Sequence, residues 1–269
     1  MCLIDTHTHL ATETYQENLA AVLDRSRQAG IDQWISIGTT VEDSKAGIEL
    51  SSHIDGMSCT VGVHPHEAAK QLTDYHKELE SIVSEDNVCA IGEIGLDYHY
   101  DFSPAAVQQK IFREQLDLAD KTGKPVVIHC REAVSDCLAV LDEWNRPQHR
   151  VVFHCFTGTL TEAKEILERN MWLSFTGTIT FRKAEENRQV AQYAPLDRVM
   201  LETDCPYLSP EPNRKIRVNE PAFLVHTAQK FAELRNTSFE KIAQITTKNS
   251  RLFFELDNLK LAKPETQRK

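Results

Sequence analysis

At 269 residues the chain is long for an average domain but suits an α/β barrel of roughly 250 residues, and its 41% hydrophobic and 26% charged content is that of a globular enzyme with a large core. A formal net charge of −10 excludes a broad basic surface that grips duplex DNA by counterion release, while leaving room for a few cations at a local phosphate site. No apolar run approaches the ~20 residues of a membrane span, and Met1 leads into a strand-like run rather than a signal region, so the expected location is cytoplasmic.

In chain order, the first strand is expected over 2–6, where Cys2-Leu3-Ile4-Asp5-Thr6 runs into His7 and His9. Side chains two apart on a strand share a face, so these two imidazoles converge on one point. Helical periodicity follows over 17–29, capped by Gly30, then a strand over 33–38 and a helix over 43–52. The third strand, 58–63, ends on His64, and a helix over 74–84 leads to a fourth strand, 88–94, which carries Glu93. A helix over 105–122 closes on Gly123. The fifth strand, 125–130, delivers His129, and after a helix over 133–144 the sixth, 150–155, delivers His154. A helix from Thr161 to residue 169 precedes a seventh strand, 172–175. The eighth, 198–203, carries Glu202 and runs into Asp204. Helices are expected over 219–234, 238–247 and 249–256.

Eight strands alternating with helices predict an α/β fold, a single-domain (β/α)8 TIM barrel over residues 1–258, with a polar C-terminal tail over 259–269. An open doubly wound sheet places its site at one switch in strand order, which does not account for metal-binding side chains at the ends of strands 1, 4, 5, 6 and 8 together.

His7, His9, Glu93, His129, His154 and Asp204 form the expected metal set. Four imidazoles and two carboxylates exceed the needs of one tetrahedral ion. Two divalent ions are therefore expected, bridged by Glu93, with His7, His9 and Asp204 on one and His129 and His154 on the other. The nitrogen-rich shell favours Zn²⁺ or Mn²⁺ over Mg²⁺. Such a pair generates a bridging hydroxide at neutral pH, with Asp204 as proton acceptor and Glu202 as a carboxylate orienting a ligand or substrate. His64 is a candidate hydrogen-bond donor to a scissile group. Arg131 and Arg214 are candidate anion contacts, the latter in a cationic loop with Lys215 and Arg217. Tyr98, His99, Tyr100 and Phe102 cluster after strand four, where they either stack a base or pack a loop. The seven cysteines are odd in number, lack paired metal spacing, and read as small buried hydrophobes in a reduced compartment; Cys205, beside Asp204, is the one expected to be open to oxidation.

The blocks Asp5-Thr6-His7-Thr8-His9-Leu10, Gly62-Val63-His64-Pro65-His66, Gly92-Glu93-Ile94-Gly95-Leu96-Asp97-Tyr98, Val127-Ile128-His129-Cys130-Arg131, Phe153-His154-Cys155-Phe156-Thr157-Gly158 and Leu201-Glu202-Thr203-Asp204-Cys205-Pro206-Tyr207-Leu208 resemble, in order, the signature blocks of the TatD family of metal-dependent hydrolases. The resemblance implies a TIM-barrel hydrolase of the amidohydrolase superfamily. Its activity would be that of a deoxyribonuclease, a 3′–5′ exonuclease preferring single-stranded DNA or frayed ends, with two divalent ions (Zn, Mn or Mg) on the same six residues. The alternative on the same dinuclear site is hydrolysis of a small ester, lactone or amide. No membrane association and no stable protein partner are expected. One segment departs from the family pattern: many relatives carry a His-Arg-Gly-Lys run where this chain reads Pro212-Asn213-Arg214-Lys215, which bears on substrate preference rather than on metal binding.

Overall fold

Eight strands run parallel in sequential order, β1 to β8, each hydrogen-bonded to the next. The computed structural model describes residues 3–71 and 74–259. The strands are β1 (Leu3–Thr8), β2 (Ile31–Ser36), β3 (Met57–Val61), β4 (Val88–Asp97), β5 (Val126–Arg131), β6 (Val151–Phe153), β7 (Trp172–Phe175) and β8 (Val199–Leu201). Between and after them lie α1 (Leu19–Gln28), α2 (Val41–His53), α3 (Tyr75–Ile82), α4 (Ala105–Thr122), α5 (Val134–Trp144), α6 (Leu160–Glu168), α7 (Glu185–Tyr193), α8 (Leu224–Leu234) and α9 (Phe239–Phe254). The ring closes between β8 and β1 through the parallel bridge Thr8–Cys205, with the His9 amide donating to the Cys205 carbonyl at 2.8 Å. This is the single-domain (β/α)8 barrel that the sequence predicts.

Parallel strands covered on both faces must be apolar on both, and the two faces feed two separate cores. Ile4, Ile35, Val127, Val152 and Met200 point into the barrel, where Phe253, Phe254 and Leu256 plug the floor. Their sequence neighbours Leu3, Trp34, Val126, Ile128, Val151, Phe153, Val199 and Leu201 face the helices. A floor sealed by the end of α9 leaves the opposite, C-terminal mouth as the open end of the cylinder.

Three expectations need correction. Residues 238–247 and 249–256 form one continuous helix, α9, because Lys248 carries the helical backbone across the proposed break. Helix α7 was not anticipated: its segment is strongly polar and turns only Asn187, Val190 and Ala191 inward, too few for a periodic signal. Helix α6 begins at Leu160 rather than Thr161, capped by Thr159 in a reciprocal capping box with Glu162. The proposed tail beyond residue 259 and Cys2 lie outside the described residues. Among the described residues no helix is long and apolar enough to cross a membrane.

Candidate metal centre

The chemistry-bearing side chains gather at the C-terminal mouth because the strands end there at slightly different heights. His7 sits inside β1, while His154 and Asp204 lie one and three residues past the ends of β6 and β8. Strand closure builds one half of the site directly. The Asp204 amide donates to the His7 carbonyl at 3.0 Å, which holds Asp204 at a positive φ of +56° and brings its carboxylate to 3.6 Å from His7 Nε2 and 3.3 Å from His9 Nε2.

Glu93 joins the two halves. Its Oε2 lies 3.3 Å from His7 Nε2, whereas its Oε1 lies 2.7 Å from His129 Nδ1, 2.6 Å from His154 Nε2 and 3.4 Å from His64 Nε2. The groups His7, His9, Asp204 and Glu93, His129, His154 each bring their ligand atoms within 4.8 Å of one another, the spacing of donors around a cation. His7 is fully buried and neither ring nitrogen makes a hydrogen bond. An orphaned buried imidazole is costly unless something coordinates it, so the residues fit a metal.

The electrostatics agree with that fit. Burial opposes the charge on Glu93, yet His154, His64 and His7 together hold its carboxyl well below the usual carboxylate range. Asp204 is likewise lowered against its burial, chiefly by His9. Burial keeps His7 and His64 neutral, the latter pushed down to about 4. His129 runs the other way: burial disfavours its cation, but Asp97 and Glu93 overcome this and push it up to about 9.

Two residues close around the cluster that spacing alone did not single out for it. Asp97 Oδ2 lies 2.9 Å from His129 Nε2 and 2.7 Å from His66 Nε2, so it fixes the ring of His129 with Nδ1 aimed at Glu93. His66, His64 and His129 form a further group of potential donors. The signal was present in the Gly-Val-His-Pro-His and Gly-Leu-Asp blocks, but only tertiary contact shows which side chain each one meets. Glu202 accepts from the Cys155 amide at 2.6 Å and from Ser174 Oγ at 2.7 Å, and stands 3.3 Å from His154 Nδ1. Glu202 thus faces His154 Nδ1 without a hydrogen bond to it, whereas Asp97 is hydrogen-bonded to His129.

Arg131 lines the same cavity, of about 720 Å³, as His9, His64, Glu93, His129, His154 and Asp204. It pairs with neither nearby acid: Glu132 is taken by His99 at 2.7 Å and Asp97 by His129 and His66. Arg214 does not line this cavity; its guanidinium lies 4.0 Å over the ring of Phe181. Cys205 is fully buried and its thiol is pushed up by burial, so the expectation that it is open to oxidation is not met. A larger hollow of 1230 Å³ beside α9 is lined by neither histidine nor cysteine.

A barrel whose strand ends present histidines and carboxylates in two groups that share one acid is the architecture of a metal-dependent hydrolase. Residues 4–255 match the family model described as TatD related DNase, and the chain belongs to the TatD family. It is 35% identical over 255 residues to the Bacillus subtilis protein named uncharacterized metal-dependent hydrolase YabD, covering 95% of this chain and 100% of that one. It is 36% identical over 259 residues to a protein of Edwardsiella piscicida named 3′-5′ ssDNA/RNA exonuclease TatD, covering 94% and 100%. Among solved structures it resembles YjjV, a TatD homolog from Escherichia coli, with a TM-score of 0.90 and 28% identity over 94% of this chain and 98% of that one. The chain is therefore a metal-dependent hydrolase of that family, acting on ester bonds.

Proposed function

We propose that the chain is a two-metal phosphodiesterase that shortens single-stranded DNA from its 3′ end. The observation that carries this reading is the division of Glu93, one oxygen toward His7 and the other toward His129 and His154, in a cavity that also holds Arg131, which pairs with no acid among the described residues. His7, His9 and Asp204 would hold one divalent ion and His129 and His154 the other, with Glu93 shared. Bound there, Zn²⁺ or Mn²⁺ lowers the pKa of water and stabilises charge on a phosphoryl oxygen.

The chain's own groups do the rest. Asp204, ionised and beside His9, accepts the proton of the attacking water. His64, neutral and facing Glu93, offers a hydrogen bond to a substrate oxygen, and Arg131 supplies a charge-assisted contact to a phosphate. Asp97 keeps the ring of His129 in register by its hydrogen bond, and the Glu202 carboxylate faces the ring of His154. An arginine at the mouth with no acidic partner among the described residues favours a phosphodiester over the neutral ester, lactone or amide, which has no anion for it to meet. The relative named as an ssDNA/RNA exonuclease supports the same choice.

The test is hydrolysis of 3′- and 5′-labelled single strands by chelated protein to which Zn²⁺, Mn²⁺ or Mg²⁺ is returned. Ladder shortening from the 3′ end is expected, with Asp204→Asn reducing the rate at least ~10²-fold while the fold is kept. Protein that takes up metal yet leaves every strand intact, while cleaving a carboxylic ester or lactone, overturns the reading.

A further inference from the structure

The segment between β4 and α4 carries two side chains for which hydrolysis has no use. Tyr100 and Phe102 are 48% and 59% exposed, and they stack on each other with centroids 5.5 Å apart and planes 21° from parallel. Both line the cavity that holds the histidine–carboxylate cluster. His66 stands edge-on to each, at 5.4 and 4.8 Å, and is itself 5.8 Å from His129. The pair therefore lies two ring contacts from the centre, the scale of one nucleotide.

The loop does not depend on these rings for its shape. The Asp97 carboxylate accepts from the amides of His99 and Tyr100 at 3.0 Å each. Gln108 accepts from the Asp97 amide at 2.8 Å and donates to the carbonyls of Asp97 and Ser103 at 2.9 and 2.7 Å. Ser103 Oγ donates to the His66 carbonyl at 3.0 Å and accepts from the Ala69 amide at 2.9 Å. Tyr98 turns away to donate to Asp136 at 2.8 Å. A polar network this complete holds the backbone and leaves a rigid aromatic pair displayed to the cavity. On the opposite wall Tyr207, 58% exposed, stands 5.8 Å from His9, so aromatic faces flank both halves of the centre.

We infer that Tyr100 and Phe102 form a stacking platform for an unpaired nucleobase adjoining the scissile phosphodiester, with Tyr207 as its counterpart across the site. The inference rests on the nucleic-acid reading above and extends it to how the strand is held. Every base has a π-face, so the platform tolerates any sequence; bases within a duplex are already stacked, so it selects strands that are single or frayed. Stacking also suits a chain of net charge −10, which has few phosphate contacts to offer. Binding should accordingly show a shallow dependence on salt.

The experiment compares wild-type protein with the Tyr100→Leu/Phe102→Leu double variant on decathymidylate in Mn²⁺, and on strands in which an abasic site replaces each of the 3′-terminal positions in turn. In the double variant KM should rise roughly tenfold with a smaller change in kcat, and Phe102→Tyr should retain the wild-type KM. One abasic position should cost the wild type a similar factor and the double variant little. The abasic series on wild-type protein needs no variant, so a folding defect in the leucine pair leaves the inference testable. Wild-type protein that cleaves but shows neither an abasic penalty nor a KM change overturns the platform alone. Wild-type protein inert on every strand overturns the nucleic-acid reading and the platform with it.

Discussion

Gly95 is the position at which one added carbon should disable the site with every proposed ligand side chain left unchanged. It has φ +137° on β4 and is the register partner of His129 on β5. A Cβ there would stand 2.1 Å from the His129 carbonyl oxygen, with the His129 carbonyl carbon and amide nitrogen at 3.1 and 3.2 Å. Carbon–oxygen contacts settle near 3.3 Å, so the strands must part by about 1 Å at this pair. Overpacking of this kind costs about 1–3 kcal/mol and the sparsely allowed backbone a further ~1–3, so Gly95→Ala should destabilise the barrel by roughly 2–6 kcal/mol. A 1 Å displacement of His129 relative to Glu93 should also lower the rate by about 10²-fold. Guanidinium unfolding measures the first quantity, and metal content with single-strand hydrolysis measures the second. Gly123→Ala is the control: that residue is left-handed at φ +68°, but its Cβ would meet nothing within 4 Å, so it should cost only ~1–2 kcal/mol and leave hydrolysis unchanged. A Gly95→Ala protein with wild-type midpoint, metal content and rate would refute the argument that β4–β5 contact positions the centre.

Three further outcomes follow from the same geometry. Asp97→Asn removes the anion that meets His129 and His66, at 2.9 and 2.7 Å, and should weaken metal binding about 10–100-fold in a competitive chelator titration, since the ring of His129 loses its orienting partner. Chelation should lower the melting temperature, because the folded state alone presents the assembled ligands, and the loss should reverse as metal is titrated back; a melting temperature indifferent to metal would contradict the assignment. Burial pushes the Cys59 thiol up to about 12 and those of Cys89, Cys137, Cys155 and Cys205 upward as well. At pH 8 these thiols stay protonated while the protein is folded, so they should resist a thiol-specific reagent until denaturant restores the ordinary value near 8.5; rapid labelling of the native protein at Cys59 or Cys205 would count against the packing described.

Much of this was legible without coordinates. Apolar runs of strand length between helical periods fix the number and order of β units, and parity along a strand fixes which residues share a face, so the eight strands and the six-residue set follow from local pattern. The family resemblance carried by the same blocks is upheld over residues 4–255. Helix α7 escaped because so few of its residues are buried, and the unbroken α9 because packing of the whole helix against the barrel floor outweighs the low helix propensity of Thr246, Thr247 and Asn249 around Lys248.

Chain order alone determined that histidines and carboxylates would arrive at strand ends, since that depends only on neighbours a few residues apart. Which of them meet was settled by closure of the ring. The β8–β1 bridge sets Asp204 against His7 and His9; the ends of β4 and β5 set Asp97 on His129 and leave Arg131 without an acidic partner among the described residues; and Arg214, cationic in sequence, is turned onto Phe181 instead. Distances of a few ångströms between residues 195 or more positions apart depend on strand stagger and barrel curvature, and those are properties of the assembled cylinder rather than of any segment in it.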